Sequence, residues 1–241
     1  MTVSSMHYDF KQKLNRLDSE KYRDLVVPEI DWKLNEAQEV FVKTIAQPRI
    51  DSQIGFESGQ RTIDDIRILV VEQKAGNGIK PAVYDAAENS YIATLPLDYQ
   101  YYINSSLVAT SDGCTARLNV RQVQHDDRVQ ASLFDESSFL WREANIMFME
   151  GGIKILTGSE FVPTELVLQY IRKPRLIYNA AEWDAGGYYL DGVLLTGTQD
   201  CELPDVLHRE IVDLAVFIAN IDLNLPTYAT KKYKTEMVDK K

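Results

Sequence analysis

The stretch ELPDVLHREIVDLA at residues 202–215 carries the clearest helical pattern in this chain of 241 residues. Pro204 suits the first turn of a helix, where its missing N–H would have no partner anyway. Apolar side chains then recur every three or four residues and form one stripe: Leu207, Ile211, Leu214 and Ile218. Other apolar residues widen the stripe almost all round, which is typical of a helix that is covered on most sides. We therefore predict a closing helix whose stripe lies in the core or in an oligomer contact.

A second helical pattern frames the chain on its N-terminal side. The stretch LNEAQEVF at residues 34–41 predicts a helix that begins near Asn35. Asn35 is a good N-cap, and a glutamine follows it at the spacing of a capping box. Pro48 ends the pattern, because the residue before a proline avoids helical geometry. An earlier amphipathic pattern predicts another helix from about His7 to Tyr22, and we interpret Pro28 as the break between the two.

Between these helices the sequence changes to short runs that are typical of β-strands. The clearest unit is a hairpin in which residues 145–149 and 153–156 flank Gly151-Gly152. We expect both glycines to supply the positive φ angles of a tight turn. Further strand candidates cover 66–71, 91–95, 101–108, 116–123 and 166–171. Repeated short strands with turn signals between them predict the fold class α+β, with a central antiparallel β-sandwich or small barrel.

The order of these patterns predicts a single domain. In chain order it contains N-terminal helices, a β-rich middle, an ordered loop, the closing helix and a basic tail: 1–62, 63–178, 179–200, 201–225 and 226–241. No internal repeat and no linker rich in Gly, Ser or Pro interrupts this order.

The acidic composition bears on what the chain binds. Its net charge is −10 at pH 7, so it should repel DNA phosphates unless its basic residues gather on one face. The negative charge either keeps the protein soluble or forms an acidic wall along which DNA slides without binding. Cys114 and Cys201 are too few for a disulfide framework or a zinc site, and we expect reduced thiols. The chain shows no secretion signal and no run of the about 18 apolar residues that a membrane helix needs.

No group of residues has the spacing of a catalytic, cofactor or metal site. His125-Asp126-Asp127 brings acids beside a histidine, yet such turn residues usually face solvent. His208-Arg209-Glu210 lacks the second histidine of a metalloprotease helix. The three tryptophans are isolated in sequence and suit burial in a core or an interface: Trp32, Trp141 and Trp183. We therefore expect a protein that is not an enzyme, with no catalytic, cofactor-binding or metal-binding residue.

Four stretches, taken in order, resemble the podovirus head-to-tail adaptor and tail tubular protein A group of connector proteins. Residues 34–41 look like the opening helix of that group, and LPLDY at 95–99 looks like its early strand. YIRKP at 170–174 looks like its last strand, and residues 203–215 look like its closing helix. The whole arrangement, over roughly residues 35–219, is also similar to ring proteins of crAss-like phages.

The resemblance implies assembly rather than chemistry. It predicts a structural virion protein of the neck or tail, a head-to-tail connector that forms a ring of about twelve copies. The implied partners are the portal protein and other neck or tail ring proteins. DNA would pass through the lumen without sequence-specific binding, with no cofactor and no membrane. Assembly would take place in the cytoplasm of the bacterial host.

The basic tail stands out in an acidic chain. It is either a solubilising end or a segment that docks into an acidic groove of the portal or of a neighbouring ring through Lys231, Lys232 and Lys234. Other functions stay open on the sequence alone. They are a different tail or head-decoration protein, a β-sandwich module that binds a receptor or glycan, and a hydrolase with an unrecognised site. The thirteen tyrosines and the loop at 179–200 motivate the binding module.

Overall fold

A computed structural model describes residues 1–15, 25–46, 64–86, 88–126, 137–183, 186–190 and 192–222. The chain clusters into two compact units. Unit 1 consists of Met1–Ile68 and Pro174–Lys241, and unit 2 consists of Leu69–Lys173. The helices that frame the sequence belong to unit 1, and the β-rich middle makes up unit 2.

Unit 2 is built on one eight-stranded sheet. Its strands are β1 (Val70–Glu72), β2 (Val83–Asp85), β3 (Ser90–Ala93), β4 (Tyr99–Ser111), β5 (Cys114–Gln122), β6 (Glu143–Met149), β7 (Gly152–Leu156) and β8 (Val162–Arg172). They lie in the order β1-β8-β4-β5-β6-β7-β3-β2. Neighbouring strands are antiparallel except β5 and β6, which are parallel.

The buried apolar residues of the sheet form one core. Alternate residues of a strand point to the same face, and on the inner face they are buried together: Leu107 and Ala109, Ile153 and Ile155, Leu166 and Leu168. The α+β class with framing helices is confirmed. The sheet itself differs from the expected antiparallel sandwich or small barrel. It is mixed, because β5 and β6 run parallel, and it is not a closed barrel, because β1 and β2 lie at opposite edges.

The hairpin predicted between residues 145 and 156 is confirmed as β6 and β7. Met149 and Gly152 are partners in its register, so the turn consists of Glu150 and Gly151. Of the two glycines only Gly152 has a positive φ, at 132°. A Cβ on Gly152 would lie 2.3 Å from the backbone oxygen of Ala93. Gly152 is therefore required for close packing against β3 as well as for its backbone angle.

Unit 1 contains the helices α1 (Val3–Asn15), α2 (Val27–Ala46) and α3 (His208–Asp222). α3 packs against both α1 and α2. The buried apolar side chains recur at helical spacing on each helix: Met6 and Phe10, Ile30 and Leu34, Ile211 and Ala215. The helix predicted from about His7 to Tyr22 corresponds to α1 and begins earlier, at Val3. Its predicted end falls among residues 16–24, which lie outside the described part of the chain.

The predicted helix start at Asn35 is wrong, because α2 begins at Val27. Pro28 occupies the first turn, where a proline needs no partner for an N–H, and it starts this helix rather than separating two. Asn35 lies in the middle of α2. Its side chain donates to the backbone oxygen of Ile177 at 2.7 Å and accepts from the Ile177 N–H at 2.8 Å. The residue that looked like a cap therefore fixes a neighbouring segment to the helix.

Short strands complete unit 1 in the region predicted as an ordered loop. β9 (Tyr178–Asn179) pairs with β12 (Thr198–Gln199), and β10 (Gly187–Leu190) forms a hairpin with β11 (Val193–Thr196). A 3₁₀ turn at Asp205–Leu207 leads into α3.

Candidate assembly surfaces

A buried polar cluster joins α1, α2, β9 and β10. Asp31 of α2 is fully buried, and its Oδ1 accepts a hydrogen bond from His7 Nε2 at 2.6 Å. Its Oδ2 accepts from the backbone N–H of Asn179 at 3.0 Å and from the Tyr188 hydroxyl. Burial, together with the hydrogen bond to Asp31, raises the pKa of Tyr188, so this hydroxyl remains a donor. A buried carboxylate needs such donors, and here they connect four elements.

The histidines serve as hydrogen-bond donors within the fold. His7 and Asp31 lie inside the packed unit, where a substrate in solvent does not reach them. His208 is buried and donates from Nε2 to the Leu203 oxygen at 2.8 Å. His125 is exposed and donates to the Phe148 oxygen at 2.7 Å. Within the described ranges, no three His, Cys, Asp or Glu side chains form a group that could hold a metal ion. Asp127 lies outside those ranges.

The four residues predicted on the closing helix differ in burial. Leu207, in the 3₁₀ turn before α3, and Ile211 are fully buried in unit 1. Leu214 and Ile218 are only partly buried and retain surface for a contact outside the chain. Whether any of them contributes to an oligomer stays a prediction. The lysines predicted to dock on a neighbour lie outside the described residues: Lys231, Lys232 and Lys234.

An apolar groove opens on the surface of unit 1, between α2 and the β10–β11 hairpin. Its volume is about 470 Å³, and it is lined by Leu25, Pro28, Glu29, Trp32, Lys33, Tyr189 and Leu190. Trp32 is 49% exposed and Tyr189 is 73% exposed. Large aromatic side chains that share an exposed groove are typical of binding surfaces. Sequence reasoning missed the groove, because Trp32 and Tyr189 are far apart along the chain.

Unit 2 exposes a separate set of large apolar side chains. Leu97, Leu140 and Trp141 are each more than three quarters exposed, at 101%, 82% and 76%. Val83 and Tyr84 are also exposed and lie on β2, an edge strand of the sheet. Edge strands and exposed aromatic residues are features that partner chains often cover. The sequence favoured a core or an interface for Trp141, and its exposure of 76% excludes the core.

Comparison with known proteins identifies the family. The sequence profile of one family, described as phage tail ring protein 3/4 of the crAss-like group, matches residues 1–232. No curated protein matches the chain. No helix within the described ranges is long and apolar enough to cross a membrane. The match confirms the resemblance to ring proteins of crAss-like phages and indicates a structural component of the tail, and so of the virion. The chain therefore belongs to the phage tail ring protein 3/4 family of crAss-like phages.

Proposed function

We propose that this protein forms an oligomeric head-to-tail connector ring between the portal protein and the tail, and that it has no enzymatic activity. The observation that carries the proposal is the family match over residues 1–232. A ring closes when each protomer presents two different faces that fit one another, so assembly requires exposed surface suited to contact with a neighbour.

The exposed apolar side chains support an assembly function. Unit 1 offers Trp32 and Tyr189, and unit 2 offers Leu140 and Trp141. Aromatic residues are enriched where proteins meet, because they bury a large area and lose little conformational entropy. We propose that surfaces of both kinds contribute to contacts between copies or with the rings above and below.

The lumen of the proposed ring conducts DNA without sequence-specific binding. Each chain carries a net charge of −10, and a ring of about twelve copies would concentrate that charge around the channel. Repulsion between acidic side chains and phosphates would keep DNA from adhering during passage. The basic tail is the exception, and we propose that Lys231, Lys232 and Lys234 dock on the portal or on a neighbouring ring. Assembly takes place in the host cytoplasm before the virion leaves the cell.

Mass photometry of the purified chain, alone and mixed with the portal protein of the same phage, tests this proposal. We expect a ring alone or a ring that appears only with the portal, and electron microscopy should show rotational symmetry of about twelve. A ring that binds other tail proteins but not the portal would contradict the connector position and favour another tail protein. A stable monomer that binds glycans would contradict the ring and favour a receptor-binding module.

A further inference from the structure

The C-terminal end of α3 is fixed at the rim of the apolar groove in unit 1. The helix ends at Asp222, whose carboxylate forms an ion pair with Lys33 Nζ. Lys33 also bonds Glu36 at 2.8 Å and is one of the residues that line the groove. Burial opposes the charge of Lys33, but the bonds to Asp222 and Glu36 outweigh it and raise the pKa of this amine. The chain therefore leaves α3 next to the groove.

The residues that follow have the chemistry to enter it. The sequence LNLPTY at residues 223–228 contains three large apolar side chains: Leu223, Leu225 and Tyr228. Pro226 disfavours helical geometry at Leu225, so the sequence favours an extended path after α3. On an extended path, Leu223 and Leu225 point to the same side. Six extended residues span about 20 Å, which is enough to run along a groove of this size.

The groove matches the apolar side chains of this segment in character and has room for several of them. Five of its lining residues are apolar: Leu25, Pro28, Trp32, Tyr189 and Leu190. Its volume of about 470 Å³ lies in the range of sites that enclose several apolar groups. Covering Trp32 and Tyr189 would remove apolar surface from water and stabilise the bound segment.

We propose that residues 223–228 bind in the groove of their own chain, with Leu223 and Leu225 against Trp32 and Tyr189. The proximity of Asp222 to the groove favours the same chain over a second copy, because the local concentration of a tethered segment is high. This contact would also fix the point at which the lysines of the tail leave unit 1, beside the β10–β11 hairpin. The proposal does not depend on ring formation.

Fluorine NMR of the full chain labelled with 5-fluorotryptophan tests the proposal. The three tryptophan signals are assigned by single substitutions to Phe, and the shift of each signal between H₂O and D₂O measures its solvent exposure. In the triple variant Leu223→Ser, Leu225→Ser, Tyr228→Ser, we expect the solvent shift of Trp32 to increase towards that of Trp141. Trp141 and Trp183 serve as internal controls and should not change.

A matched variant separates the apolar segment from the tail. Lys231→Ser, Lys232→Ser, Lys234→Ser alters the following residues and should leave the solvent shift of Trp32 at its wild-type value. Circular dichroism checks that each variant is folded, and single Leu225→Ser replaces the triple variant if that one does not fold. An unchanged Trp32 signal in a folded segment variant would overturn the proposal. Protection of Trp32 that appears only when mass photometry detects more than one chain would overturn it as well, in favour of a second copy.

Discussion

His7 Nε2 lies 2.6 Å from Asp31 Oδ1, and both side chains are buried although they come from different helices. The pair links α1 to α2, and the other oxygen of Asp31 extends the link to β9 and β10. A buried carboxylate is stabilised by the donors with which it pairs, and Asp31 pairs with three. Unit 1 therefore depends on one carboxylate for the relative positions of four elements.

Asp31→Ala should destabilise the protein strongly. The change leaves three buried donors without an acceptor, on His7, Asn179 and Tyr188, and we expect the free energy of unfolding to fall by about 3 kcal/mol or more. Urea denaturation followed by circular dichroism measures the loss. Asp213→Ala is the control, because Asp213 is exposed and pairs with Lys13 at 2.8 Å, and its loss should stay below about 1 kcal/mol. Equal losses in the two variants would contradict this prediction.

Ile211→Ala should lower the free energy of unfolding by about 2–4 kcal/mol, because it opens a cavity in the core. Ile211 is fully buried, whereas Ile221 in the last turn of the same helix is 38% exposed. Ile221→Ala should therefore cost less than about 1 kcal/mol. Both values come from denaturation of the purified chain at one concentration. If Ile221→Ala were the more damaging change, α3 would bury a different face from the one described.

Gly152→Ala should prevent normal folding of unit 2, whereas Gly151→Ala should be nearly neutral. An alanine Cβ at Gly152 would lie 2.3 Å from the Ala93 oxygen, and the φ of 132° is unfavourable for alanine. Gly151 has nothing within 4 Å of its added Cβ. Thermal denaturation of the two variants provides the comparison. Similar melting temperatures would show that β3 and β7 tolerate a wider separation than the register indicates.

Glu165 should make stability depend on pH in the acidic range. Its carboxylate accepts backbone hydrogen bonds from Gly76, at 2.9 Å, and from Gly78, and these two bonds lower its pKa from 4.5. A lowered pKa in the folded state means that the stabilisation is present above pH 4.5 and is lost as the pH falls through the folded value. The stability difference between wild type and Glu165→Gln should therefore shrink as the pH decreases from 6 to 3. A difference that stays constant over this range would contradict the assignment.

Deletion of residues 230–241 should leave a folded chain that no longer associates with its portal or ring neighbour. The deleted segment carries Lys231, Lys232 and Lys234, whose contacts with an acidic surface would be screened by salt. Association of the wild-type chain should accordingly weaken as salt is raised, which mass photometry of the mixture would show. If the truncated chain associates normally at low and at high salt, the tail is a solubilising end.

Patterns among neighbouring residues predicted part of the local structure. Met6, Phe10 and Leu14 recur at helical spacing and lie buried on α1, and the β6–β7 hairpin forms where the strand pattern placed it. The strand expected at 66–71 is wrong in its first four residues, because Arg67–Leu69 form a 3₁₀ turn and β1 begins only at Val70. A short apolar run does not distinguish a strand from a buried helical turn.

Pro28 shows where such reasoning fails. A proline either starts or interrupts a helix, and the sequence alone does not decide between the two. Asn35 has the sequence signal of a cap, but its side chain bonds Ile177, which is far away in sequence.

The strand order and the assembly surfaces depend on residues that are far apart in sequence. Local sequence patterns therefore did not predict them. β5 and β6 pair in parallel, although β5 ends at Gln122 and β6 begins only at Glu143, and pairing between such separated segments is not visible in a local pattern. The groove likewise combines Trp32 with Tyr189, and each of them alone looks like an ordinary core or interface residue. The functional expectation came from the order of four stretches that resemble connector proteins, since no residue spacing indicated a reaction.

Val70 and Ile171 are register partners, so the first and last strands of unit 2 lie side by side. A segment whose two ends are adjacent can be inserted into a host protein, or removed from it, through a single surface position. Leu69–Lys173 is such a segment, because it is continuous in sequence and its two ends are adjacent in space. One continuous stretch of the gene therefore encodes unit 2 with its exposed Leu140 and Trp141, whereas the framing helices are encoded on either side of it.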